Sequence, residues 1–215
     1  MNKKYNITIF ASYIGYIVQA IVNNLTPLLY VQFSNEFSFA KWQITLIIVV
    51  NFAIQILIDY FSSKFAIKLG YRKCTLIAHS LSLVGLILLG VLPYLISPFI
   101  GIVISVLFMA IGGGFIEVVV SPIVDALPSN NKSGTMSLLH SFYSWGHILV
   151  VLLATGFFYF IGIEHWKYLP FIFVIFPLLN LFLFAICPLE QQKGDETPLS
   201  VKGVFKQKYF IFLLQ

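Results

Sequence analysis

Six apolar runs, each about the length of a membrane-crossing helix, constrain this chain more than anything else in it. They extend over residues 7–33, 42–61, 74–96, 99–124, 136–163 and 166–187. A helix needs about 20 apolar residues to cross roughly 30 Å of hydrocarbon. Transmembrane β-strands are half that length and alternate apolar with polar positions, a pattern these runs lack. The spacing therefore predicts an all-α membrane protein. A six-helix transmembrane bundle occupies residues 1–187, a polar linker 188–208, and the start of a truncated seventh span 209–215. Only 10% of the residues are charged, against about a quarter in a soluble domain. Too little polar surface remains to cover a water-facing globule. A soluble enzyme, a disordered chain and a nucleic-acid-binding domain are excluded as leading readings.

The breaks between runs carry the charge. Lys64, Lys68, Arg72 and Lys73 separate the second and third runs, and Ser97-Pro98 turns the chain before the fourth. With the N-terminus inside, eleven of the 13 Lys and Arg residues fall on the inner side and only Lys41 and Lys167 on the outer. Positive charge marks the cytoplasmic face, so the N-terminus and the 188–208 linker are expected in the cytoplasm of a multi-pass plasma-membrane protein. The first run is too long for a cleaved signal peptide and has no A-x-A site. Cys74 and Cys187 lack the C-x-x-C spacing of a metal or redox site and read as free thiols. No Ser-His-acid set, phosphate loop or metal-ligand spacing is present, so neither a cofactor nor a catalytic residue is expected.

Polar groups inside hydrocarbon are costly and each asks for a reason. Glu117 is the only acid deep inside a run; a charge there costs about 2.5–3.5 kcal/mol on the insertion scale. Gly113, Glu117 and Ser121 share one helix face. Glu117 reads as a proton or solute site, or as an interhelical hydrogen bond. Gln19, Asn23 and Asn24, with Tyr16 nearby, suit hydroxyl-rich ligands or glue helices. Asn51, Gln55 and Asp59 form a second stripe, read as structural or gating. In the fifth run His140, Tyr143, Ser144 and His147 share a face, and a proton relay is one reading of it. His79 has no polar company on its face and reads as structural.

These motifs resemble the N-terminal half of a major facilitator superfamily transporter. The loop from Ser63 to Lys73 is similar to the family's signature between spans two and three. Lys68, Gly70, Arg72 and Lys73 match its basic-Gly-basic core, while Ser63 and Ile67 replace its first glycine and its acid. Within the superfamily the closest look is to fucose-permease-like sugar:proton symporters. Asn23-Asn24-Leu25 with Gln32-Phe33, the stretch Gly112 to Pro122, and Ser137 to Gly146 carry that likeness. Glu117 falls on the family's span-four acid; Pro27 stands where its span-one acid is expected. Two six-helix halves rock against each other in such transporters.

The resemblance implies a secondary transporter moving a small polar solute, with a sugar and coupled protons as candidates. Glu117, Gln19, Asn23, Asn24, Tyr143, His147 and His140 are the expected solute and proton residues. Asp59, Gln55, Lys68, Gly70, Arg72 and Lys73 are the expected gating residues. The lipid bilayer is the surrounding partner, and a missing C-terminal half or a second copy is needed for activity. Export of a drug-like or hydrophobic solute, and a non-transporting six-span scaffold or sensor, are the alternatives.

Overall fold

The computed structural model describes residues 3–128 and 131–189, apart from the side chains of residues 3, 63–65 and 67. The expected seventh-span start, and all but the first two residues of the expected linker, lie outside the described residues. Helices α1 (Asn6–Leu28), α2 (Tyr30–Phe37), α3 (Lys41–Leu69), α4 (Tyr71–Leu95), α5 (Pro98–Ala126), α6 (Lys132–Ile161), α7 (Leu169–Phe173) and α8 (Ile175–Ile186) make up the fold. A 3-10 helix (Ile163–Tyr168) precedes α7. Six stretches are long and apolar enough to cross a membrane: Asn6–Leu28, Lys41–Ser62, Tyr71–Leu95, Pro98–Ala126, Lys132–Ile161 and Ile163–Ile186.

Local chemistry sets the element ends. Pro27 removes a backbone donor from the last turn of α1, and the first run continues after Leu29 as the separate short α2. Gly70, at φ +80°, is the single residue joining α3 to α4. A left-handed turn this tight favours a residue without a Cβ. Pro98 occupies the first position of α5. Asn131 caps α6, its side chain accepting from the Gly134 N–H at 2.9 Å.

Helix α1 is the centre of the bundle, packed against α5, α6 and α8, while α4 packs on α5 and α8, and α3 on α5. Two-thirds (67%) of α1's apolar window is buried, against 11% for α3 and 22% for α6. The last two therefore flank the bundle and present most of their apolar surface outward. Three consecutive glycines make α5 a hub. A Cβ on Gly112 would lie 2.8 Å from the Ala78 carbonyl of α4, one on Gly113 3.0 Å from Val22 of α1, and one on Gly114 2.9 Å from Ile58 of α3. Close packing of this kind draws membrane helices together.

Polar ties fasten the two ends. At one, Glu36 accepts from the Trp166 indole and from the Tyr94 hydroxyl at 2.7 Å. At the other, the Arg72 guanidinium donates to the carbonyls of Phe184 (2.8 Å), Ala185 (2.5 Å) and Cys187 (2.7 Å) at the end of α8. A cation bonded to a helix C-terminus meets the negative end of its dipole. Between them His79, expected to stand alone, pairs through Nε2 with Asn180 Nδ2 (2.7 Å) and through Nδ1 with the Thr75 carbonyl (2.7 Å). Both Cys74 and Cys187 are free and buried.

Candidate functional site

An open-sided cavity of about 630 Å3 lies between α1, α3, α5 and α6. Its walls come from the polar stripes of those helices. Helix α1 supplies Tyr16, Gln19, Asn23 and Asn24; α3 supplies Asn51, Phe52 and Gln55. Helix α5 supplies Glu117 and Ser121, and α6 supplies His140 and Tyr143. The i, i+4 spacing that put each stripe on one helix face also points the four stripes at one space. The volume suits a small organic solute.

The lining groups are linked to one another. Gln19 Nε2 donates to Glu117 Oε2 at 2.8 Å, while Gln19 Oε1 is buried with no hydrogen-bond partner. Gln55 Nε2 bridges α3 to α1, donating to Asn23 Oδ1 at 2.8 Å and, more weakly, to Asn51 Oδ1 at 3.5 Å. The Tyr16 hydroxyl and Ser121 Oγ lie 2.6 Å apart, and the Tyr16 ring meets His140 edge-on with centroids 5.3 Å apart. Asn24 turns its amide back to the Ala20 carbonyl at 2.8 Å. Glu117 is the single acid in the lining. Asp59, outside the lining, approaches α5 over Gly114, with Oδ1 3.7 Å from where a Cβ there would sit. It is close enough for its charge to act on Glu117.

Six of the seven expected solute and proton residues line this cavity: Glu117, Gln19, Asn23, Asn24, Tyr143 and His140. His147 does not. It lies two helical turns, about 10 Å, beyond His140 and lines a second, mostly apolar recess with Ser144, Ile148, Val151 and Leu152, on the other side of Tyr143, which lines both. Gln55, expected to gate, is part of the wall and binds Asn23. Lys68, Gly70, Arg72 and Lys73 sit at the α3–α4 connection, away from the cavity, with Lys68, Gly70 and Lys73 exposed. Phe52 was not singled out, because one phenylalanine in an apolar run carries no signal. Tyr16, Asn51 and Ser121 stood in the polar stripes, and only the assembled bundle shows that they reach the same space.

The family model of the Major Facilitator Superfamily matches residues 8–214. The chain belongs to the Major Facilitator Superfamily. Among solved structures of the superfamily fold, a variant of the E. coli fucose:proton symporter FucP superposes with a TM-score of 0.70 at 18% identity. The match covers 94% of this chain and 55% of that one, so this superfamily chain spans about half the length of that structure. At that identity the likeness is one of fold. No curated protein matches the sequence.

Proposed function

We propose that this chain is the solute-binding N-terminal half of a secondary transporter, working by alternating access on a small, hydroxyl-rich polar solute such as a sugar, with proton coupling through Glu117. The observation that carries the reading is the cavity, where five side-chain amides and one carboxyl converge from three helices. Amides offer donors and acceptors together, as sugar hydroxyls do. Tyr16, Phe52 and Tyr143 add ring surface for a sugar's apolar face. The alternatives fit less well, because a hydrophobic solute would leave the remaining donor and acceptor capacity of those amides unused. Superfamily membership and the fold shared with a fucose:proton symporter support the same reading.

In this scheme Glu117 takes up and releases the proton, while Gln19, Asn23, Asn24, Tyr143 and His140 meet the solute. Asp59 and the Lys68, Gly70, Arg72 and Lys73 segment act in the conformational change, with the N-terminus and linker in the cytoplasm. The rocking motion needs a second six-helix half.

Uptake of labelled sugars and polyols into proteoliposomes, with the chain completed by a C-terminal half and a pH gradient imposed, tests the proposal. One or more of these solutes should accumulate faster when the outside is acidic. Glu117→Gln should abolish that pH dependence. Failure of every sugar and polyol to enter, or unchanged pH dependence in Glu117→Gln, overturns the reading.

A further inference from the structure

Gln19 presents one satisfied and one unsatisfied polar atom at the same place. Its Nε2 donates to Glu117 Oε2 at 2.8 Å. Its Oε1 has no partner, and the residue is only 4% exposed. A buried acceptor left bare is costly, and most such atoms find a donor. An ionised carboxylate has none to give, since both its oxygens only accept. A protonated carboxyl has one O–H and still accepts through its other oxygen. A carboxylic acid facing a primary amide can therefore close a two-bond ring, N–H to carboxyl oxygen and O–H to amide oxygen.

We infer that Gln19 is the positioning residue for Glu117, holding the neutral carboxyl in a two-bond acid–amide ring and the ionised carboxylate by one bond only. In the ring, the proton on Glu117 points at Gln19 Oε1 and the carboxyl is fastened to α1. On ionisation the second bond is lost, and the carboxylate is freer to turn toward the cavity. The inference rests on the proposed proton role of Glu117 but adds a residue and a geometry to it. Other groups act on Glu117 from each neighbouring helix: Asp59 on α3, His140 on α6 and Tyr16 on α1. Helix α4 presents Ala78 and Ser82 to α5 at Gly112, and neither titrates. All of these remain when Gln19 alone is changed, so a comparison at position 19 isolates its own effect.

Infrared difference spectroscopy of the full chain in lipid, titrated from alkaline to acidic pH, tests this without any solute. The carbonyl stretch of protonated Glu117 is identified by its loss in Glu117→Gln. In the parent chain it should lie low, as for a doubly bonded carboxyl. In Gln19→Met, which keeps the side-chain length and removes both amide atoms, it should move to higher wavenumber. A parent band at the position of a free carboxyl, a band absent at every pH, or an unmoved band in Gln19→Met overturns the inference. The parent measurement stands even where Gln19→Met does not fold. Solute uptake plays no part, so failure of the transport reading and failure of this one are separable.

Discussion

Gly112 and Gly156 show how differently two glycines in membrane helices are used. A Cβ on Gly112 would press against the Ala78 carbonyl and the Ser82 backbone nitrogen, each at 2.8 Å. Backbone cannot move aside as a flexible side chain does, so α4 and α5 would have to separate. Gly112→Val is expected to cost about 1–3 kcal/mol through overpacking. A Cβ on Gly156 would meet nothing within 4 Å, so Gly156→Ala is expected to be neutral or to stabilise by up to about 1 kcal/mol through helix propensity. The two buried thiols supply the measurement. Cys74 and Cys187 are 1% and 0% exposed, so a thiol-reactive dye reports unfolding as the chain is heated. Gly112→Val should lower the midpoint by several degrees, and Gly156→Ala should leave or raise it. The sequence marked the Gly112–Gly114 run as a place of close approach. That each glycine faces a different helix was not legible, because it depends on which helices are neighbours.

Pairings between elements are where the sequence says least. His79 and Asn180 stand 101 positions apart, each the lone strongly polar group on its part of an apolar run. Nothing in either run names the other as partner, so His79 read as having no polar company. In the bundle the pair ties α4 to α8 beside Gly15, where Asn180 Nδ2 is 3.5 Å and His79 Nε2 3.8 Å from the position of an added Cβ. Hydrogen bonds between membrane helices couple by about 0.6 kcal/mol on average and up to about 1.7. A double-mutant cycle with His79→Leu and Asn180→Leu should return a coupling in that range, read from unfolding in detergent. Additive effects would mean the bond contributes nothing. Arg72 gives a second test between elements. Its three carbonyl partners close the last turn of α8, where charge-assisted bonds are the strong ones. Arg72→Gln should speed amide hydrogen exchange in that turn and leave α1 protected. Resemblance singles out Arg72 as a gating residue, and nothing in the order of residues points to the helix end it holds.

At the scale of the whole bundle, the cation pattern that defined the runs also makes its orientation testable. Alternating helices bring the end of α3, the start of α4, and the α5–α6 connection to one end of the molecule. Among the described residues Lys68, Arg72, Lys73 and Lys132 lie there. The other end carries Lys41 and Lys167, with Tyr94, Trp166 and Tyr168 around Lys167 and Glu36, the aromatic chemistry of a membrane interface. Six spans and their polar stripes were legible because hydrocarbon thickness and helical period act on each run separately. The cavity needed the runs to be placed side by side, which is why His147 was grouped with it and Phe52 was not. Orientation depends only on the count of cations at each end, so the cytoplasmic side should be the Lys68 end. Lys68 is exposed and the His165 side chain is 48% exposed at the opposite end, so single cysteines at these positions report both faces. A membrane-impermeant thiol reagent should label His165→Cys in intact cells and Lys68→Cys only after permeabilisation. The native cysteines, 1% and 0% exposed, should stay unlabelled in both. Labelling of Lys68→Cys in intact cells would invert the bundle and place the Arg72 segment outside, where a cytoplasmic gating role for it could not hold.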